Sequence, residues 1–213
     1  MSENNAYILG TDPDELFRLG VQHQVWATEA QKGWENAGFT AGDTLLDLGC
    51  GPGFCTKEMA LIAGKTGKVI GVDKSKNYID FVNHLSNTYS LHIDAIEADF
   101  NDLDLSPNSI DGAYCRWALA WISNPKEILE KVYKALKPGG VLVTVSFHSI
   151  EDKIIKFYFK NYSSNKSKGS RYLPEINKED LSLFENYRNK VITASEKEIK
   201  SNLPSRSAKL RFA

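Results

Sequence analysis

The chain has 213 residues, 42% of them apolar, and its 26 basic and 27 acidic side chains leave a formal net charge of −1. That length and composition give one compact domain enough sequence for a sizeable core. They argue against a membrane span, since the longest apolar run, VLVTVSF at 141–147, has only strand length, and against a signal peptide, since MSENNAYILG has neither a basic nor an apolar region.

Charge is unevenly spread. Residues 1–150 carry 12 Lys/Arg against 19 Asp/Glu, a net of −7, and residues 151–213 carry 14 against 8, a net of +6. A basic segment can attract a polyanion, or it can be a lysine-rich solvated surface. Cys50, Cys55 and Cys115 form no metal-type pair, and scattered thiols fit a reducing cytoplasm.

In chain order, Asp12-Pro13 with Glu15 starts a helix predicted to reach about Gly38, with a break near Gly20 or Gly33. TLLDL (44–48) is a strand, and the glycine loop after it leads into a helix carrying Cys55, Met59 and Ile62 at helical spacing. KVIGVD (68–73) is the second strand, and Ser75 can cap a helix whose buried stripe is Tyr78, Ile79, Val82 and Leu85. HIDAIEAD (92–99) and IDGAYCRWAL (110–119) are the third and fourth strands. Asn124-Pro125-Lys126-Glu127 reads as a capping box for a helix that LKPGG (136–140) stops. GVLVTVSF (140–147) is apolar on both faces, as a central strand needs to be. A short helix at IEDKIIKFYF follows, then a loop around NYSSNKSKGS (161–170), then VITA (191–194) and AKLRFA (208–213) as edge strands around a short helix. The alternation predicts an α/β fold: a mostly parallel central sheet, helices on both faces, and an antiparallel carboxy-terminal edge.

The most informative residues are DLGCGPG (47–53). Gly49, Gly51 and Gly53 let the loop turn sharply and let a ligand press on bare backbone. A dinucleotide fingerprint wants a third glycine where Phe54 stands, so that alternative fits poorly. Asp47 can organise the loop near an ammonium group, and Cys50 supplies a small side chain inside it. Asp73, followed by Lys74, ends the second strand where a carboxylate can accept ribose hydroxyls. Asp99 and Phe100 suit an adenine amino group and ring face. Each acid could instead be a helix cap or a solvated turn, but three at successive strand ends fit S-adenosylmethionine.

The strand order, DLGCGPG, Asp73, Asp99 and LKPGG together resemble the class I S-adenosylmethionine-dependent methyltransferases over about residues 40–147. VQHQVWATEA and GAYCRWALAW are similar to the small methyltransferases that modify metabolites, quinones or sterols. That resemblance implies pocket roles for Gln24, Trp26, Arg116 and Trp117, whose ordinary alternatives are core packing and a surface ion pair. The last third is different. VSFHSIEDKIIKFYFK, ITASEKEIKSN and SRSAKLR resemble the carboxy-terminal signature of the bacterial 16S rRNA cytosine-N4 methyltransferases. The front departs from that family, whose glycine loop is closer to DATLGGGGHS and which carries an inserted helical region, so the chain reads as a hybrid joined at about residues 128–145.

These resemblances imply one methyltransferase domain over 1–213: a helical cap (1–40), a donor-binding core (41–147) and a basic segment completing the sheet (148–213). The expected donor-binding residues are Asp47, Gly49, Cys50, Gly51, Gly53, Asp73, Lys74, Asp99, Phe100 and Arg116, with no metal. The expected reaction is methylation of a cytosine N4 amine in ribosomal RNA of the small subunit. The alternatives are a small-molecule acceptor, metabolite or quinone-type, and a non-catalytic RNA-binding or inactive hybrid. Lys153, Lys156, Arg206, Lys209 and Arg211 are the candidates for gripping phosphate. His148 can approach the substrate or cap the next helix, while His23, His84 and His92 show no partner pattern. No catalytic residue is assigned.

Overall fold

The computed structural model describes residues 11–147, 149–163, 184, 191–201 and 203–213. His148 and most of the NYSSNKSKGS loop lie outside them. Two compact units divide the chain, residues 1–143 and residues 144–213.

The first unit opens with α1 (Pro13–Asn36), capped by the Asp12 carboxylate, which accepts from the Glu15 N–H at 3.0 Å. The helix runs unbroken through Gly20 and Gly33, against the expected break. The reason is tertiary: His23, Trp26, Ala30, Gly33 and Trp34 form a continuous buried face, and a Cβ at Gly20 would stand 3.3 Å from the Phe54 ring. Such packing outweighs glycine's loss of about 1 kcal/mol in helix propensity.

Then come β1 (Thr44–Leu48), α2 (Phe54–Ala63), β2 (Lys68–Asp73), α3 (Lys76–Tyr89), β3 (Ile93–Glu97), β4 (Ile110–Arg116), α4 (Pro125–Ala135) and β5 (Leu136–Ser146). The strand order is β3-β2-β1-β4-β5. β1 pairs in parallel with both β2 (Leu46↔Ile70) and β4 (Leu46↔Ala113), and β2 pairs in parallel with β3. Leu45, Leu46 and Leu48 are almost fully buried, as are Val69, Val72, Met59, Ile128 and Leu129. Each such side chain contributes roughly 1.5–3 kcal/mol of burial. The order reverses between β1 and β4, and a crevice opens at such a switch point beyond the carboxyl ends of the strands.

Three boundaries differ from expectation. β4 stops at Arg116 because Trp117 takes a left-handed conformation (φ 61). Asn124 does not make a capping box: its side chain accepts no cap bond, and the Glu127 N–H bonds to the Asn124 carbonyl at 3.1 Å, leaving Pro125 to set the first turn. LKPGG follows the end of α4 at Ala135, as expected, but β5 already begins at Leu136 rather than at Gly140. Gly139 (φ 82) absorbs the irregularity, and Lys137 bonds Asp111 on β4 at 2.8 Å.

The second unit takes in the end of β5, α5 (Ser149–Asn161), β6 (Ile192–Thr193), α6 (Glu196–Ser201) and β7 (Lys209–Phe212). Its strand order is β5-β7-β6, with β6 and β7 antiparallel through Ile192↔Leu210. The strands thus form the expected mostly parallel sheet with an antiparallel carboxy-terminal edge. Ile155, Tyr158, Phe159 and Phe184 make the unit's apolar centre, with the Phe159 and Phe184 rings 5.2 Å apart.

Candidate active site

A cavity of about 480 Å³ lies in the first unit, at the switch point. Its wall includes Asp47, Gly49, Cys50, Gly51, Asp73, Lys74, Asp99, Phe100 and Arg116. Nine of the ten expected positions therefore converge. The tenth, Gly53, is the N-cap of α2 and packs elsewhere: a Cβ there would meet Val82 at 2.6 Å. The glycines thus serve different ends. Gly49 is forced by packing, since its Cβ would lie 2.5 Å from that of Ala118, whereas nothing approaches the Cβ position of Gly51 within 4 Å. Gly51 is the bare backbone a ligand can touch.

The carboxylates are fixed by their neighbours. Asp73 accepts the Gly51 N–H through Oδ2 and the Ser75 N–H through Oδ1, both at 2.9 Å, so it ties the loop to the start of α3. Burial raises its pKa, opposed by those N–H groups. Asp47 is buried and accepts from the Thr56 hydroxyl at 2.7 Å. Burial pushes its pKa up to about 6, opposed by the Thr56 bond and the charge of Arg116. Asp99 is exposed, and its Oδ1 accepts both the backbone and side-chain N–H groups of Asn101, at 2.9 and 2.8 Å, leaving Oδ2 open. Lys74 is exposed at the rim. Burial makes Cys50 a poor thiolate, far above its ordinary pKa.

Arg116 is not in a surface ion pair. One guanidinium nitrogen, NH2, lies 3.3 Å from His23 Nδ1, and the group sits 4.5 Å above the Trp117 ring. The other, NH1, is buried and has no hydrogen-bond partner among the described residues. His23 Nε2 meets Glu58 Oε1 at 3.0 Å, and Gln31 bonds the second Glu58 oxygen at 3.2 Å. This His23–Glu58 pair was missed in the sequence, although His23 stands at helical spacing from Trp26, Ala30 and Trp34. Neither Gln24 nor Trp26 lines the cavity: Gln24 is exposed, off the buried face of α1, and Trp26 lies on that face as part of the core. Trp117 does line it, with Leu19, Phe54, Trp121 and Ile122.

Two family matches account for most of the chain. The family described as Methyltransferase domain matches residues 46–144, and the MraW methylase family matches residues 122–213. They overlap on α4 and most of β5, at the expected join. A ribosomal RNA small subunit methyltransferase H of Hyphomonas neptunium is 42% identical over 85 residues, covering 40% of this chain and 25% of the relative. A 2-phytyl-1,4-naphtoquinone methyltransferase of Trichormus variabilis is 33% identical over 129 residues, covering 60% of this chain and 55% of the relative. A solved S-adenosylmethionine-dependent methyltransferase of Aquifex aeolicus superposes with a TM-score of 0.58 at 22% identity, over 64% of this chain and 73% of that one.

In fold, and in two overlapping stretches of sequence, the chain is similar to the S-adenosylmethionine-dependent methyltransferases. It joins a general methyltransferase front to a rear similar to the ribosomal RNA enzymes, and spans a quarter of the length of the first of those relatives and about half that of the quinone one. No helix among the described residues is long and apolar enough to cross a membrane.

Proposed function

We propose that the cavity binds S-adenosylmethionine and that the chain transfers its methyl group to a planar, quinone-type small molecule. The observation carrying this is one wall that combines buried carboxylates, the bare backbone of Gly51, a part-buried guanidinium and an aromatic rim. The donor is a zwitterion at one end and a nucleoside at the other, and its sulfonium presents the methyl for displacement along one line. Asp47 and Arg116 supply one charge of each sign for the zwitterion. Asp73, whose oxygens each hold one N–H and can accept again, takes the ribose hydroxyls. The open Oδ2 of Asp99 takes the adenine amino group, with Phe100 against the ring. Gly49, Cys50 and Gly51 close the loop over the donor, and Lys74 flanks it at the rim.

The residues then act by positioning. Holding acceptor and methyl in line can be worth about 7–11 kcal/mol. Leu19, Trp117, Trp121 and Ile122 offer an apolar, flat-faced wall for the acceptor, with Trp121 57% exposed at the rim. The left-handed Trp117 is the kind of local strain that clusters at binding sites.

A second reading, methylation of a cytosine N4 amine in ribosomal RNA, is favoured by the MraW methylase match over residues 122–213. The target base would leave its stack to reach the cavity, and the exposed Lys153, Lys156 and Arg206 would meet phosphate. Lys209 and Arg211 drop out of that list, since both pair with Asp152, Arg211 at 2.7 Å and almost fully buried.

The test is transfer of labelled methyl to a demethylated naphthoquinol and, in parallel, to unmodified small ribosomal subunits. Label in the quinol supports the first reading. Label in N4-methylcytosine overturns it for the second, and label in neither, with donor bound, sinks both.

A further inference from the structure

The contacts of His23 can be read through what each partner is able to do. A guanidinium only donates hydrogen bonds. With Arg116 NH2 at 3.3 Å, His23 Nδ1 must therefore be an acceptor, and the proton sits on Nε2, where Glu58 Oε1 receives it at 3.0 Å. The ring is further fixed by stacking on Phe54, with centroids 5.6 Å apart. Both ring nitrogens are engaged, and His23 does not line the cavity while Arg116 does. It therefore reaches a ligand only indirectly, through the lining residues it touches: the Phe54 ring, the Cys55 thiol 3.7 Å from Nδ1, and Arg116, the one of the three that carries a charge. A long arginine side chain loses rotamer freedom when it binds, and holding it beforehand reduces that cost. One guanidinium edge is taken by His23, one face by Trp117, and NH1 remains buried with no hydrogen-bond partner among the described residues.

We propose that His23 is a positioning residue for the amino-acid end of the donor: locked as its Nε2–H tautomer by Glu58, it holds Arg116 so that NH1 meets the donor carboxylate. The inference rests on the donor-binding reading above. It assigns the relay Gln31–Glu58–His23–Arg116 a selective task, which is to recognise the carboxylate and not the nucleoside.

The experiment compares, by calorimetry on the full chain, affinity for S-adenosylhomocysteine with affinity for 5′-methylthioadenosine, which keeps the nucleoside and lacks the amino-acid end. Arg116→Met and His23→Leu should weaken S-adenosylhomocysteine about 10- to 100-fold, the scale of one charge-assisted hydrogen bond, and leave methylthioadenosine within about twofold. His23→Asn keeps an acceptor near the Nδ1 position and should recover most of the loss. Equal losses for both ligands would mean a merely structural role, and an unchanged S-adenosylhomocysteine affinity or a failed Asn rescue would also overturn the proposal. Methylthioadenosine binding confirms that each variant is folded. If the unaltered chain binds neither ligand, the donor-binding reading itself falls, and the relay's task with it.

Discussion

Asp47 in the first unit and Asp152 in the second are both buried carboxylates influenced by an arginine, yet they stand on opposite sides of their ordinary pKa. Asp152 is desolvated too, but hydrogen bonds and charge from Arg211 and Lys209 hold it below the usual carboxylate value. Among the described residues, Asp47 takes a side-chain hydrogen bond from the Thr56 hydroxyl and no ion pair, and burial wins. A buried acid that has its cation in hand is part of the fold. One that lacks a contacting cation is stabilised by a ligand that brings one. This contrast supports the proposed donor site in the first unit, whereas SIEDK and SRSAKLR in the second are joined through Asp152 and Arg211.

The largest effect should come from breaking the completed pair. Arg211→Met leaves buried Asp152 with only the part-exposed Lys209, 3.4 Å away, to balance it, so the loss should lie near the low end of the roughly 3–5 kcal/mol that breaking a buried pair costs. The double variant Asp152→Leu with Arg211→Met should recover much of that in chemical denaturation. Recovery no better than the single variant would mean that the pair is not what holds the motifs together. Because the pKa of Asp152 is depressed, its contribution is present at neutral pH and disappears as pH falls through the folded value.

Next is Asp73→Ala. Removing two oxygens that hold the Gly51 and Ser75 N–H groups disorganises the loop as well as the ribose contact. Affinity for S-adenosylhomocysteine should fall roughly 100-fold, as expected for losing more than one charge-assisted bond. An unchanged calorimetric affinity would remove Asp73 from the donor site.

What was legible in the sequence follows from range. The loop, the strand ends and the acids at Asp47, Asp73 and Asp99 are read within short windows, because turn geometry and the period of two are local. The pairs that decide roles are not local. Arg116 meets His23 across 93 positions and Arg211 meets Asp152 across 59. Arg211 in AKLRFA therefore looks the same whether it faces phosphate or an internal acid. The unbroken α1 is a similar case: its glycines signal a break locally, and contacts with Phe54 and the buried face override them.

A pH titration sharpens the contrast at Asp47. Its pKa is raised from 3.8 to about 6, so the ligand-free protein gains stability as pH is lowered from about 6 towards 4, and this gain is absent in Asp47→Asn. Asp73 is raised by burial too, so the variant subtracts only the Asp47 share. Donor affinity should run the other way, weakening as pH drops through about 6 because protonation removes the charge facing the ammonium. A wild-type affinity flat from pH 5 to 8 would place the ammonium elsewhere.

The smallest expected effect is the most informative about substrate. Lys153, Lys156 and Arg206 are exposed and make none of the ion pairs that occupy Lys209 and Arg211. Replacing all three by Ala should change stability by no more than about 0.5 kcal/mol, as for ordinary surface positions. It should also leave methyl transfer to a quinol untouched, because the proposed acceptor wall draws on none of them. If the chain instead modifies ribosomal RNA, the same triple variant should weaken binding to small subunits and reduce its salt dependence by up to about three charges' worth of counterion release. The measurement is activity on both substrates across a salt series, and it bears on the role of the second unit directly. A salt slope that shrinks in the variant makes that unit a phosphate-binding surface. A slope that does not shrink leaves it with the structural role that Asp152 and Arg211 already give it.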